Sequence, residues 1–179
     1  MGSTDASVAR RKARWAYEAG RLRGALLGVA PIAVVAALAA CFAARPASAL
    51  AFGAATLVAG AVMLWYGRDP QRAVLPGATA GLVPLVLALC ASRVHVCGPD
   101  GCSTLCVPAC TLGGVIAGLA VAYVGHRRRA GVGFWLAGST VALLTGAMGC
   151  ACVGYSGVVG LAVGFGLGVV PTLLRRPAA

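Results

Sequence analysis

VPACTLGGVIAGLAVAYVG (Val107–Gly125), HRRR (His126–Arg129), AGVGFWLAGSTVALLTGAMG (Ala130–Gly149): two uncharged apolar runs stand on either side of a short basic knot. Crossing the hydrocarbon core takes about 20 apolar residues in a helix. The stretch therefore reads as a membrane hairpin with its turn at the arginines. Four more runs of this kind flank it: Gly24–Ala44, Ser48–Tyr66 and Ala73–Ser92 before it, and Val153–Leu174 after it. Composition agrees. Of 179 residues, 60% are hydrophobic and only 11% charged, with a mean hydropathy of +0.89. Soluble domains carry about 25% charged residues, so lipid is the solvent for most of this surface. An open sheet edge stays unpaired in lipid, which makes the fold class all-α: a polytopic transmembrane six-helix bundle. Pro31, Pro76 and Pro84 fall inside spans, where neighbouring helices tolerate them.

The basic residues orient the bundle. Lys and Arg together number 15. Arg10, Arg11, Lys12, Arg14, Arg21 and Arg23 precede the first span. Arg68 and Arg72 lie between the second and third, Arg127–Arg129 between the fourth and fifth, and Arg175 and Arg176 after the sixth. With six spans all of these share one side, and only Arg45 and Arg93 take the other. Cytoplasmic loops carry the excess of Lys and Arg, so both termini are expected in the cytoplasm of a bacterial cytoplasmic (inner) membrane. Residues 1–23 then form a cytoplasmic basic amphipathic segment, 24–174 the transmembrane domain, and 175–179 a cytoplasmic tail. The net charge of +11 is thereby an orientation signal. It points to anionic headgroups and to no direct nucleic-acid partner.

Two processing signals compete at the first span. Leu38-Ala39-Ala40-Cys41 resembles a lipobox, and Pro46-Ala47-Ser48-Ala49 a small-residue cleavage site. The long basic region and the Pro31-containing run before them favour a retained span. Upstream, Ser3 or Asp5 can cap a helix on which Val8, Trp15, Ala19 and Leu22 make an apolar stripe. This segment reads either as an interfacial helix anchored by Trp15 or as a docking site for a cytosolic protein through Trp15, Tyr17 and Arg21. Gly160, Gly164 and Gly168, with Gly114 and Gly118, repeat every four residues, the spacing that lets helix backbones approach closely. Packing within the bundle is the expectation, and a homodimer interface the alternative.

The 8 cysteines carry the functional reading. Cys41, Cys90, Cys97, Cys102, Cys106, Cys110, Cys150 and Cys152 all fall at the non-cytoplasmic face of the six-span map. One reading is structural disulfides in an oxidising compartment, with a connectivity that spacing leaves open. The other is a redox-sensing or metal-binding centre built from His95, Cys97, Cys102, Cys106, Cys110, Cys150 and Cys152. Imidazole and thiolate suit soft ions of the zinc, copper(I) or mercury class, although Cys102-x3-Cys106-x3-Cys110 matches no closed zinc-finger spacing. Pro108 suits the first turn of a helix. That placement would put Cys110 near a helix N-terminus, where thiols become reactive, and Cys152 is placed similarly before the sixth span.

Other chemistry is excluded on composition. Asp5, Glu18, Asp69 and Asp100 are the acidic residues, and all lie outside the spans, so the intramembrane ionisable group of a proton relay is missing. No catalytic triad or phosphate loop is present, and His126 reads as a solvated flank. The protein is not expected to be an enzyme.

The segment Leu105-Cys106-Val107-Pro108, the basic Arg127–Arg129, and the run Ala137-Gly138-Ser139-Thr140-Val141-Ala142-Leu143-Leu144-Thr145-Gly146-Ala147-Met148-Gly149-Cys150 resemble the last three helices of the six-helix membrane anti-sigma factors of the NrsF type. The resemblance implies an outer thiol sensor, with Cys106 and Cys150 (or Cys152) at the family's two cysteine positions. It also implies an extracytoplasmic-function sigma factor held at the cytoplasmic face by the segment around Trp15, Tyr17 and Arg21. The expected function is thus a membrane-embedded regulatory sensor with an extracytoplasmic cysteine cluster responding to soft metals or oxidants. The alternatives are a soft-metal-binding membrane transporter, or a membrane thiol-disulfide oxidoreductase.

Overall fold

The computed structural model describes residues 3–43, 46–94, 103–151 and 154–174. Six helices long and apolar enough to cross a membrane are present. They are α1 (Ser3–Phe42), α2 (Pro46–Tyr66), α3 (Arg68–Val94), α4 (Ser103–Arg127), α5 (Val132–Cys150) and α6 (Tyr155–Leu174), with no strand among the described residues. The chain is thus all-helical and of multi-pass membrane type. The helices run past the apolar spans at several ends, because the apolar run stops at the first charge whereas the backbone hydrogen bonds continue into the headgroup layer.

Neighbours in sequence run antiparallel. The Cβ position of Gly28 in α1 meets Leu64 of α2, and that of Gly53 meets Ala36. Non-consecutive helices pair in parallel. In α3 and α5, Gly77 faces Gly138 and Val141, Gly81 faces Ala142 and Thr145, and Gly149 faces Leu85 and Ala88. In α4 and α6, Gly114 faces Leu161 and Phe165, and Gly118 faces Phe165 and Gly168. The bundle therefore has two poles. One gathers the start of the first span, Gly67, Arg127–Ala130 and the end of α6. The other gathers the end of α1, the start of α4 and the end of α5.

Glycine sets the helix spacing. A Cβ on Gly114, Gly118, Gly164 or Gly168 would overlap backbone atoms of the facing helix, and one on Gly160 would lie 2.9 Å from Thr111 Oγ1. All five glycines of the predicted stripes are consumed in the α4–α6 contact. In a bilayer such close approach is the main source of helix association, because apolar burial gains little against lipid. Hydroxyls inside the bundle turn back onto their own helix, as Thr56 Oγ1 donates to the Phe52 carbonyl at 2.7 Å and Thr111 Oγ1 to that of Val107 at 2.9 Å. Thr145 differs. It is buried, and among the described residues its Oγ1 has no hydrogen-bond partner.

The turn after α4 is a Schellman motif. Ala130 N–H donates to the Gly125 carbonyl at 3.0 Å and Arg129 N–H to that of His126 at 3.1 Å, the paired bonds that close a helix end. The residue at the left-handed position is Arg129, with φ 47, where glycine is usual. At the α2–α3 turn glycine does fill that role, as Gly67 at φ 67.

Two expectations about α1 and α4 change. The amphipathic segment and the first span are one uninterrupted helix of 40 residues, about 60 Å long at 1.5 Å per residue. That is roughly twice the hydrocarbon thickness, so the basic half runs on from the bundle instead of forming a separate helix. The α4 helix begins at Ser103, four residues before the apolar run, and this puts Pro108 in its second turn. Cys110 is consequently two turns from the N-terminus. The helix-end field fades within the first turn, so Cys106, and not Cys110, has the N-terminal placement.

Candidate functional site

Cys41 lies in the last turn of α1 and Cys90 near the end of α3, and both are exposed. Cys106 and Cys110 sit one helical turn apart on α4 and therefore share a face. Cys150 is the last residue of α5. All five are at the pole opposite Arg127–Arg129. His95, Cys97, Cys102 and Cys152 lie outside the described residues.

Three of the thiols are inside the bundle: Cys106 is 1% exposed, and Cys110 and Cys150 are 0% exposed. Cys110 and Cys150 come within hydrogen-bonding reach of each other in a cluster with Ala88, Ala147 and Leu161. The pair joins α4 to α5, and hence the α4–α6 pair to the α3–α5 pair. Sequence spacing did not reveal this partnership, since forty residues separate the two positions; only the antiparallel α4–α5 register brings them level. Among the described residues no three His, Cys, Asp or Glu side chains converge as metal ligands.

The thiol pair has a packed connection to α1. Met148, two residues before Cys150, is fully buried in a cluster with Ala36 and Ala39 of α1 and Leu85 of α3. Phe52 of α2 packs against both this cluster and the one holding the thiols. A displacement at Cys150 thus meets side chains of α1 within one layer of packing. Close-packed protein interiors transmit strain.

At the opposite pole residues 10–20 of α1 are exposed, with Trp15 71% exposed. Val8 and Leu22 are exposed too, and the spacing of seven from Val8 to Trp15 to Leu22 sets the three on one face. Arg21 is the exception. It is half-buried, and its guanidinium lies 5.8 Å from the Tyr17 ring centroid and 5.6 Å from that of Trp65 in α2. Trp15 and Arg21, grouped as one contact region from sequence, are therefore placed differently: one faces outward, the other holds α1 to α2. Elsewhere at this pole Arg127 covers the Tyr123 ring at 5.3 Å. Comparison with protein-family models, with curated proteins and with solved structures finds no match for this chain.

Proposed function

We propose that the protein is a regulatory sensor of the bacterial cytoplasmic membrane, related in mode to the six-helix anti-sigma factors. In this reading the thiol pole is outside and the basic pole inside, with both termini cytoplasmic. The observation that carries the reading is the Cys110–Cys150 pair, two buried thiols in mutual contact on different helices. A peroxide-class oxidant would take two electrons and two protons from the pair. The S–H bonds break, an S–S bond of about 2.05 Å forms, and the peroxide leaves as water. A soft cation of the copper(I) or mercury class would instead displace the two protons and bridge the sulfurs.

The disulfide would draw the start of α4 and the end of α5 together, whereas a bridging cation, with metal–sulfur bonds of about 2.3 Å, would wedge them apart; each changes the spacing of the two helices. Met148 and Phe52 are positioned to pass that shift to α1. The basic half of α1 would then change its hold on a cytosolic partner, an extracytoplasmic-function sigma factor, through Trp15 and its flanking residues. A signal of this kind needs two arrangements of the bundle with different affinity for the partner.

The test replaces Cys110 and Cys150 singly with Ser and compares them with Cys90→Ser. Native-host membranes are treated with peroxide or cadmium, and partner release is followed by co-purification. Release lost in both C110S and C150S, with normal bundle yield and C90S responding normally, is the expected pattern. Undiminished release in both variants would sink the proposal.

A further inference from the structure

Where α1, α2 and α3 meet at the basic pole there is an open cavity of about 960 Å³, lined by Tyr17, Arg21 and Gly24 of α1, Leu64 and Tyr66 of α2, and Gln71 of α3. Small-molecule sites span roughly 300–1,000 Å³. Its polar groups converge: the Cβ position of Gly67, at the α2–α3 turn, lies 3.9 Å from both Arg21 Nη2 and Gln71 Oε1. Among the described residues that line it none is acidic. A Cβ on Gly24 would meet nothing within 4 Å, so α1 leaves the space open on its side.

The placement selects the chemistry. Arg21 stands one turn before the first apolar run, and Trp65 and Tyr66 end the second, so the cavity lies at headgroup level, where aromatic residues collect. Its polar wall carries a guanidinium held by two rings, a donor fork suited to phosphate oxygens. Its other wall, Gly24, Ala25 and Leu64, belongs to the spans. A ligand with an anionic phosphate head and an apolar body matches both walls, and the adjoining leaflet supplies one. Basic pockets between membrane helices take anionic headgroups in this manner.

We infer that this cavity is a binding site for one anionic phospholipid, its phosphodiester on Arg21 and its glycerol end against Gly24 and Leu64. The inference is independent of the thiol reading. Native mass spectrometry of the detergent-purified full chain tests it, with phosphatidylglycerol or phosphatidylcholine added in equal amounts. Phosphatidylglycerol should be retained preferentially, and Arg21→Gln should lower its retention about fivefold, the effect of one basic residue at a membrane surface. Arg23→Gln, which removes an exposed charge outside the cavity, should leave retention unchanged. Gly24→Trp, which fills the cavity and keeps every charge, should lower retention as R21Q does.

Equal retention of the two lipids, or matching behaviour of R21Q and R23Q, would overturn the assignment. Displacement of phosphatidylglycerol by millimolar inorganic phosphate would also overturn it, and would make this a soluble-anion site. Loss of cytosolic partner capture in R21Q and G24W, with lipid retention intact, would give the cavity to a protein instead.

Discussion

Two residues hold conformations or contacts that cost stability, and each makes a sharp prediction. Thr145 buries a hydroxyl that has no hydrogen-bond partner among the described residues. A buried unsatisfied polar group costs about 1–3 kcal/mol, and valine has nearly the same shape. Thr145→Val should raise resistance to unfolding in mixed micelles by about 1 kcal/mol; a loss of stability would show that the hydroxyl is satisfied in the folded protein. Arg129 takes a left-handed φ of 47, which costs a residue with a Cβ roughly 1 kcal/mol or more. Arg129→Gly should therefore stabilise the isolated bundle by about 1 kcal/mol, measured in the same assay.

Among the elements, α4 and α6 form the closest pair. Adding a methyl at Gly164 would drive it into the Thr111 backbone, and overpacking of this kind costs about 1–3 kcal/mol. Gly164→Ala should lower stability by that amount, while Gly166→Ala, where a Cβ meets nothing within 4 Å, should be neutral or better. Equal effects from the two would contradict the helix contact described above. The glycine periodicity was legible in sequence because close approach demands small residues at a fixed spacing. The Cys110–Cys150 contact and the Arg21 cavity were not legible, because each depends on the register and rotation of packed helices, which residue spacing along one helix does not set. Only Trp65-Tyr66 at the end of a span, opposite Arg21 at the start of another, hinted at the cavity. The beginning of α4 was misjudged for a related reason: an apolar run marks where lipid begins, and a helix starts where its backbone bonds can form.

At the scale of the molecule, segregation of charge from thiols defines the protein. A reporter fused after Arg129 should behave as cytoplasmic, and a periplasmic signal there would invert the proposed sidedness. An impermeant maleimide added outside should label exposed Cys41 well before buried Cys110 and Cys150. Equal labelling rates would mean that the bundle opens readily at this pole. Removing residues 5–20 should release the partner without preventing insertion, since residues 10–20 of α1 are exposed. Retention of the partner by the shortened chain would move the docking surface elsewhere, with the Arg127–Arg129 turn the nearest candidate.

The parallel pairing of α3 with α5, and of α4 with α6, has a consequence for biosynthesis. Both α3 and α4 find their main partner two spans later in the chain, so the α3–α4 hairpin released from the ribosome and its insertion channel is not yet a finished unit. When α4 enters the bilayer, its glycine face has only lipid tails or the insertion machinery against it until α6 has been made. Membrane quality-control proteases that recognise loosely packed helices would therefore have a window set by the translation time of residues 132–174, from the start of α5 to the end of α6, a few seconds at ordinary elongation rates. Codon usage across that interval, and not only the amino acids it encodes, would then bear on how much of this protein reaches its folded state.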